Sequence, residues 1–390
     1  MKIILATGIY PPDIGGPATY VRSVAEELSR LGHEVRVVTY GEKDLELRTE
    51  DLGLRTPSTS LRTGKDEGEE NQEGWRVAVV PRSGGPILRW WRYARVLKSV
   101  AADADIVEAF SSVSVGVPLI LARLKKPFGA AQGKPKKVLR LGGDFFWERY
   151  TDRGGTKGLK DWYAAKPQSK WIMQKILMSF DHIVFSTDFQ KTLYRSQYRL
   201  PMHSVIENAL PSGIPIPHAA HVPFRLLFMG RFVAFKNLPV LLRSLAFLSQ
   251  CTLTFVGNGP MEKPLRTLTE ELKLGDRVIF LSSQGGAAKA RTLAEADLLV
   301  LPSITELSPN VALEARAAGL PVLLTRATGF GDALTRGMVL REIRTPEQLA
   351  QTVADVRSRY SEIAEAAALP PPARGWDAVA REHLQLFLSL

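Results

Sequence analysis

Residues 297–318 read DLLVLPSITELSPNVALEARAA, and the way this stretch divides decides the fold. The apolar run 297–301 reads as a strand. A polar loop comes next, and a helix is expected over 309–318. Ser308 suits the N-cap of that helix and Pro309 its first position. The same alternation fills the rest of the C-terminal half. Residues 225–229, 252–256, 278–281 and 320–324 read as strands, with helices at 239–249 and 261–273. The N-terminal half repeats the plan, with strands at 2–7, 34–39, 75–80, 105–110, 136–141 and 182–186. Gly15-Gly16-Pro17 opens a helix that Gly32 closes, and 86–101 forms another.

Strands alternating with helices imply a parallel sheet covered on both faces. The expected fold is therefore α/β: two Rossmann-like doubly wound domains in tandem, facing a central cleft suited to a ligand. The domains are expected at 1–208 and 224–373, joined by a proline-rich linker at 209–223. Residues 376–388 read as a closing amphipathic helix. Two polar stretches, 44–74 and 125–137, interrupt the pattern and read as loop insertions. The first contains a small repeat, Leu54-Arg55-Thr56 and Leu61-Arg62-Thr63.

Composition narrows the class. The chain has 390 residues, 45% of them hydrophobic and 23% charged, as in ordinary globular proteins. The opening residues read as a strand rather than a leader, and no apolar run is long enough to span a bilayer. The single cysteine, Cys251, excludes an internal disulfide framework and fits a reducing, cytoplasmic setting. A net charge of +11 suits nucleic acid, an anionic membrane surface or phosphate-bearing substrates, and charge alone does not choose. Arg89, Arg92, Arg95 and Lys98 cluster with Trp90, Trp91 and Tyr93. That mixture suits peripheral contact with the inner face of a membrane, or a plain surface helix with its rings turned inward; the plain helix is preferred. His218 and His221 have no further ligand nearby and read as exposed linker histidines. Asp103-Ala104-Asp105 reads as a helix-to-strand turn, not a metal motif.

Chemistry concentrates after three strands. In the loop and helix after 297–301, the first-turn N–H groups and helix dipole offer a site for phosphate. Glu306 lies before the helix and Glu314 within it, and a carboxylate grips a sugar or ribose diol well. Ordinary loop and surface glutamates are the equal alternative. After strand 225–229 comes Gly230-Arg231-Phe232-Val233-Ala234-Phe235-Lys236-Asn237, whose two cations suit a diphosphate. After strand 252–256 comes Gly257-Asn258-Gly259-Pro260, on its own a simple turn.

In this order, the three segments resemble the retaining GT-B glycosyltransferases of family 4. Glu306 and Glu314 match that family's paired glutamates; Gly230, Arg231 and Lys236 match its Gly-Arg-x4-Lys motif; Gly257, Gly259 and Pro260 match its turn. Tyr10 to Ala18 matches its first glycine-rich loop, where Gly15 and Gly16 would let backbone approach the donor. Trp376-Asp377 resembles the helix that crosses back to the N-terminal domain. The resemblance implies that Glu314 holds the nucleotide ribose, Glu306 the donor sugar, and Arg231 with Lys236 the diphosphate. It also places backbone N–H groups around Ser308, Pro309, Asn310 and Val311 near sugar and phosphate. Gly143 stands where many members carry a histidine, and Asp144 comes directly after it. Asp144 either orients an acceptor hydroxyl or caps a helix.

The activity implied by the resemblance is transfer of a sugar from a nucleoside-diphosphate sugar to a glycan or lipid-linked acceptor, without a metal or other cofactor. Such chemistry belongs to glycan, glycolipid or cell-surface polysaccharide synthesis. A GT-B sugar-nucleotide epimerase, a donor-binding protein without turnover and a nucleic-acid-binding protein are the competing classes; no nucleic-acid partner is expected.

Overall fold

The computed structural model describes residues 1–13, 15–41, 60–63, 74–124, 135–210, 218–369 and 374–390. They form two units. One holds Met1–Phe145, Gln168–Asn208 and Trp376–Leu390; the other holds Phe146–Pro167 and Ala209–Gly375. The first half of the chain runs β1 (Lys2–Ala6), α1 (Gly16–Arg30), β2 (Glu34–Gly41), β3 (Ser60–Thr63), β4 (Arg76–Pro81), α2 (Pro86–Val100), β5 (Ile106–Ala109) and α3 (Gly116–Ala122). Next come β6 (Lys136–Leu141), α4 (Phe145–Asp152), α5 (Leu159–Ala164), α6 (Lys170–Leu177), β7 (His182–Phe185), α7 (Asp188–Gln197) and β8 (Met202–Val205). The second half runs β9 (Phe224–Met229), α8 (Leu238–Ser244), β10 (Cys251–Val256), α9 (Glu262–Glu271), β11 (Val278–Leu281), α10 (Gly286–Ala294) and β12 (Leu298–Leu301). It ends with α11 (Asn310–Ala317), β13 (Val322–Thr325), α12 (Asp332–Thr335), β14 (Val339–Arg341), α13 (Pro346–Ser358), α14 (Tyr360–Ala367) and α15 (Trp376–Leu388).

The second unit's sheet has the order β11-β10-β9-β12-β13-β14, parallel throughout. The chain moves outward from β9 to β11, then returns beside β9 at β12 and continues the other way. The winding therefore reverses between β9 and β12. At such a switch point the flanking connections diverge, and the loops at the C-terminal strand ends gain room to face a ligand. Apolar strands such as β12, buried along its whole length, are what a sheet covered on both faces demands. Phe228, Phe232, Phe255 and Phe280 interlock beneath these loops, with Phe255 and Phe280 stacked at 5.1 Å. Fully burying one such ring contributes roughly 1.5–3 kcal/mol, so the base of the loops is firm.

The first unit's sheet has the order β3-β4-β2-β1-β5-β6-β7-β8, and its switch point lies between β1 and β5. Only β3, at the edge, is antiparallel to its neighbour among the described strands. The connections β4–β5, β5–β6 and β6–β7 run one way along the sheet and β1–β2 the other. Right-handed crossovers then place α2, α3 and α6 on one face and α1 on the opposite one. Consistent with this, α3 packs between α2 and α6, and α15 packs on α1.

Several expectations need revision. Most of 44–74 and 125–137, and 211–217 of the linker, lie outside the described residues, but 60–63 is a strand rather than loop. Phe146–Pro167 groups with the second unit, not the first. Helix 239–249 ends as an α-helix at Ser244, with a 3-10 turn at Leu245–Phe247. His218 and His221 do not hang in solvent. The ring nitrogens of His218 lie 3.0 and 3.2 Å from the carbonyl oxygens of Ala296 and Ala318, and His221 Nδ1 lies 2.7 Å from the buried Asp297 carboxylate. These contacts anchor the chain just before β9. Asp103 pairs with Lys2 and Arg36, and Asp105 accepts the Lys2 backbone N–H at 2.9 Å, so that segment is a structural turn as expected.

Candidate active site

In the second unit, two loops leave the switch point side by side: 230–237 after β9 and 302–309 after β12. Backbone bonds zip them together. Ile304 N–H donates to Phe235 O at 2.8 Å, and the Asn237 side chain donates to Pro302 O at 3.3 Å. Asn237 itself takes the left-handed conformation, φ 56°, which turns the chain into α8. The result brings Lys236 onto Glu306: Nζ lies 2.5 Å from Oε1. Ser303 Oγ donates to the same oxygen at 2.6 Å. Glu306 is only 4% exposed, and its backbone is held by Ala327 and Gly329. A buried carboxylate with two donors on one oxygen keeps a fixed orientation, which is what selective grip on a ligand hydroxyl requires.

The glycine motif has a packing role. Gly257 and Gly259 have φ values of 143° and 153°, in the region where side chains are strained. A Cβ on Gly257 would sit 2.0 Å from Gly230 O, and one on Gly259 2.5 Å from Phe232 O. Without side chains, the turn lies against 230–232, with Phe232 N–H donating to Asn258 O at 2.8 Å and Met261 N–H to Phe232 O at 2.9 Å. The backbone after β10 thus props up the loop that carries Arg231, which is exposed, and Lys236.

Glu314, in α11, is ion-paired with Lys289 of α10 rather than with a loop cation. The helix begins one residue later than expected. Pro309 is the N-cap, with extended ψ of 93°, and no side chain caps the helix, so Ser308 lies before the cap. The first turn, from Asn310, nonetheless follows the Glu306 loop directly in the chain.

Sequence reasoning missed three contributors. Lys289 has no motif of its own. Ser303 was visible only as part of a longer segment. The third is Phe146–Pro167: Trp147 is buried with its ring 5.3 Å from that of Phe235, and Leu159 N–H donates to Thr305 Oγ1 at 3.1 Å. No local pattern announces that a stretch so early in the chain braces loops about 150 residues on.

In the first unit, Gly15 ends the loop after β1, and α1 starts at Gly16 without a side-chain cap. Tyr10 accepts a bond from Trp75 Nε1 at 2.8 Å, and Asp13 pairs with Arg82, which fixes the loop's course. Asp144 is 1% exposed and accepts a hydrogen bond from buried Tyr194 Oη at 2.8 Å. Gly143 offers its carbonyl to Gln190 Nε2 at 3.2 Å.

Two doubly wound units, each with glycine-bearing loops at its switch point, define a GT-B type α/β fold. The descriptions that match are "Glycosyl transferase 4-like domain" over residues 15–209 and "Glycosyl transferases group 1" over 217–367. The chain belongs to the group 1 glycosyltransferases, the family 4 type, and is a transferase. An uncharacterized glycosyltransferase of Methanocaldococcus jannaschii is 25% identical, over 86% of this chain and 83% of its own. D-inositol 3-phosphate glycosyltransferase of Corynebacterium urealyticum is 24% identical, over 97% and 91%. Among solved structures, sucrose-phosphate synthase of Thermosynechococcus elongatus is 18% identical with a TM-score of 0.75, covering 100% of this chain and 98% of that one. HepE of Anabaena, solved with UDP and glucose, is 17% identical with a TM-score of 0.69 and full coverage of both chains. These two likenesses establish the fold.

Proposed function

We propose that this enzyme moves a sugar from a nucleoside-diphosphate sugar to an acceptor hydroxyl, with retention of anomeric configuration and with the donor held on the second unit. The observation that carries the reading is the fixed Lys236–Glu306–Ser303 cluster at the β9/β12 switch point, with Glu314 in the helix that follows that loop. In the reaction, the bond between the anomeric carbon and the diphosphate oxygen breaks and a bond to the acceptor oxygen forms. The acceptor proton leaves with the departing phosphate or passes to a base, for which Asp144 is the candidate. Negative charge grows on the diphosphate. Lys236, Arg231 and the N–H groups at the start of α11 would stabilise it in place of a metal ion. Glu306 would hold the donor sugar, and Glu314 the ribose once Lys289 yields part of its carboxylate. By the family resemblance, Gly230 and Gly257 in the second unit, and Gly15 and Gly16 in the first, would let backbone approach the donor.

The relatives support the coarse direction. HepE was solved with UDP and glucose, and curated relatives include a lipopolysaccharide core glycosyltransferase and an amylovoran biosynthesis glycosyltransferase. Glycan or lipid-linked acceptors, used at the cytoplasmic side in surface polysaccharide or glycolipid synthesis, fit those names. Thermal shift with UDP-, GDP- and ADP-sugars tests donor binding, because a ligand of the native state raises Tm. No shift with any of them overturns the proposal. Gly143, in place of the family histidine, favours a second reading of binding without turnover. A transfer and hydrolysis assay on a donor that does shift Tm separates the two.

A further inference from the structure

We propose that the outer face of α2, α3 and α6 in the first unit docks the protein on an anionic lipid bilayer. The observations are independent of the donor site. Ile87 and Trp91 on α2 are 81% and 54% exposed, and Trp171 on α6 is 60% exposed. Tyr93, by contrast, is buried and bonds to backbone of β2 and of the residue after β1, so the outward stripe is selective. Ile87, Trp91, Arg95 and Lys98 follow helical spacing along one side of α2, and Trp171, Lys175 and Met178 do so along α6. The two helices share one device. Each exposed indole has a cation four residues later lying over its ring, Arg95 at 4.7 Å from Trp91 and Lys175 at 4.7 Å from Trp171. Between them α3 adds exposed Leu121, with Arg123 at its end. None of the three helices contains an aspartate or glutamate.

Chemistry selects the occupant. Indole rings and aliphatic tips interleaved with cations match the headgroup layer of a bilayer, where rings and methylenes sit at the acyl boundary and the cations meet lipid phosphates. A single-stranded nucleic acid would use aromatic faces for stacking, but here the cations of the same helix cover those faces, and Ile87, Leu121 and Met178 offer a base nothing. A protein partner would have to bury this many cations with no acid in the three helices to compensate them. With α3 packed between α2 and α6, the three helices form one layer on the same side of the sheet.

The full chain should co-sediment with phosphatidylcholine vesicles containing phosphatidylglycerol, and not with phosphatidylcholine alone. Raised salt should release it. Trp91→Ser with Trp171→Ser should weaken vesicle binding about tenfold or more. Arg95→Gln with Lys175→Gln should weaken it by about fivefold per cation removed. Donor thermal shift and transfer to a soluble acceptor should stay as in the native protein, so this proposal and the donor reading fail separately. If the tryptophan pair lowers Tm, the glutamine pair, which leaves the rings in place, decides. Equal binding to both vesicle types, undiminished binding by the glutamine pair, or tighter binding to a single-stranded RNA than to the anionic vesicles would overturn the proposal.

Discussion

Lys236 and Glu306 are seventy positions apart, yet they form a short contact at the centre of the candidate site. Their residue types and order were readable, because a cation after one strand and a carboxylate after another match a known pattern. Their contact was not, because it depends on which strands neighbour each other. If Glu306 holds the sugar in the transition state, Glu306→Gln should lower kcat by about a hundredfold or more with a modest change in donor KM. A change confined to KM would remove it from the chemistry. A second residue makes a pH prediction. Burial, and then His203, hold the His182 ring below its ordinary 6.5, against the pull of Glu108. The folded state thus favours the neutral ring more than the unfolded chain does. The stability this contributes is complete above 6.5 and falls as pH drops through the lowered value. Tm should therefore decline below pH 6.5, and His182→Gln, which keeps a donor for Ser204, should flatten that part of the decline.

Among the elements, the loops at strand ends carry the candidate site, and glycines let those loops pack together. Gly259→Ala would drive a methyl into the Phe232 carbonyl at a strained φ, costing about 1–3 kcal/mol. Because that turn props the Arg231–Lys236 loop, donor KM should rise as Tm falls. Gly275→Ala, where an added Cβ meets nothing within 4 Å, should change stability by about 0.5 kcal/mol or less. Most strands were legible because a run buried on both faces is apolar throughout, but β3, β8 and β14, all at sheet edges, were not read. Helices α4 to α6 and α12 to α14 were not, since most are short and their apolar spacing spans too few turns to declare a period. The start of α11 was misplaced by one residue because Pro309 is compatible with both the cap and the first turn.

For the molecule as a whole, the closing helix α15 belongs to the first unit although the chain reaches it from the second. Val379, Ala380, His383 and Phe387 are buried there, and Tyr20 Oη lies 2.7 Å from His383 Nε2. Truncation before Trp376 should remove roughly 1.5–3 kcal/mol for each large apolar side chain, on the area scale. Calorimetry should show the first unit melting earlier and the second unchanged. A single undisturbed transition would contradict that assignment.

The sequence by itself determined the element alternation, the two-unit α/β plan and the identity of the motif residues, because periodicity and residue chemistry are local properties. Tertiary structure alone decided that β9 lies beside β12, that Ser303 joins Lys236 on one carboxylate oxygen, that Lys289 faces Glu314, and that Phe146–Pro167 braces the second unit's loops. Those are pairings between segments far apart in the chain, fixed by strand order and crossover handedness, which no single stretch of residues encodes.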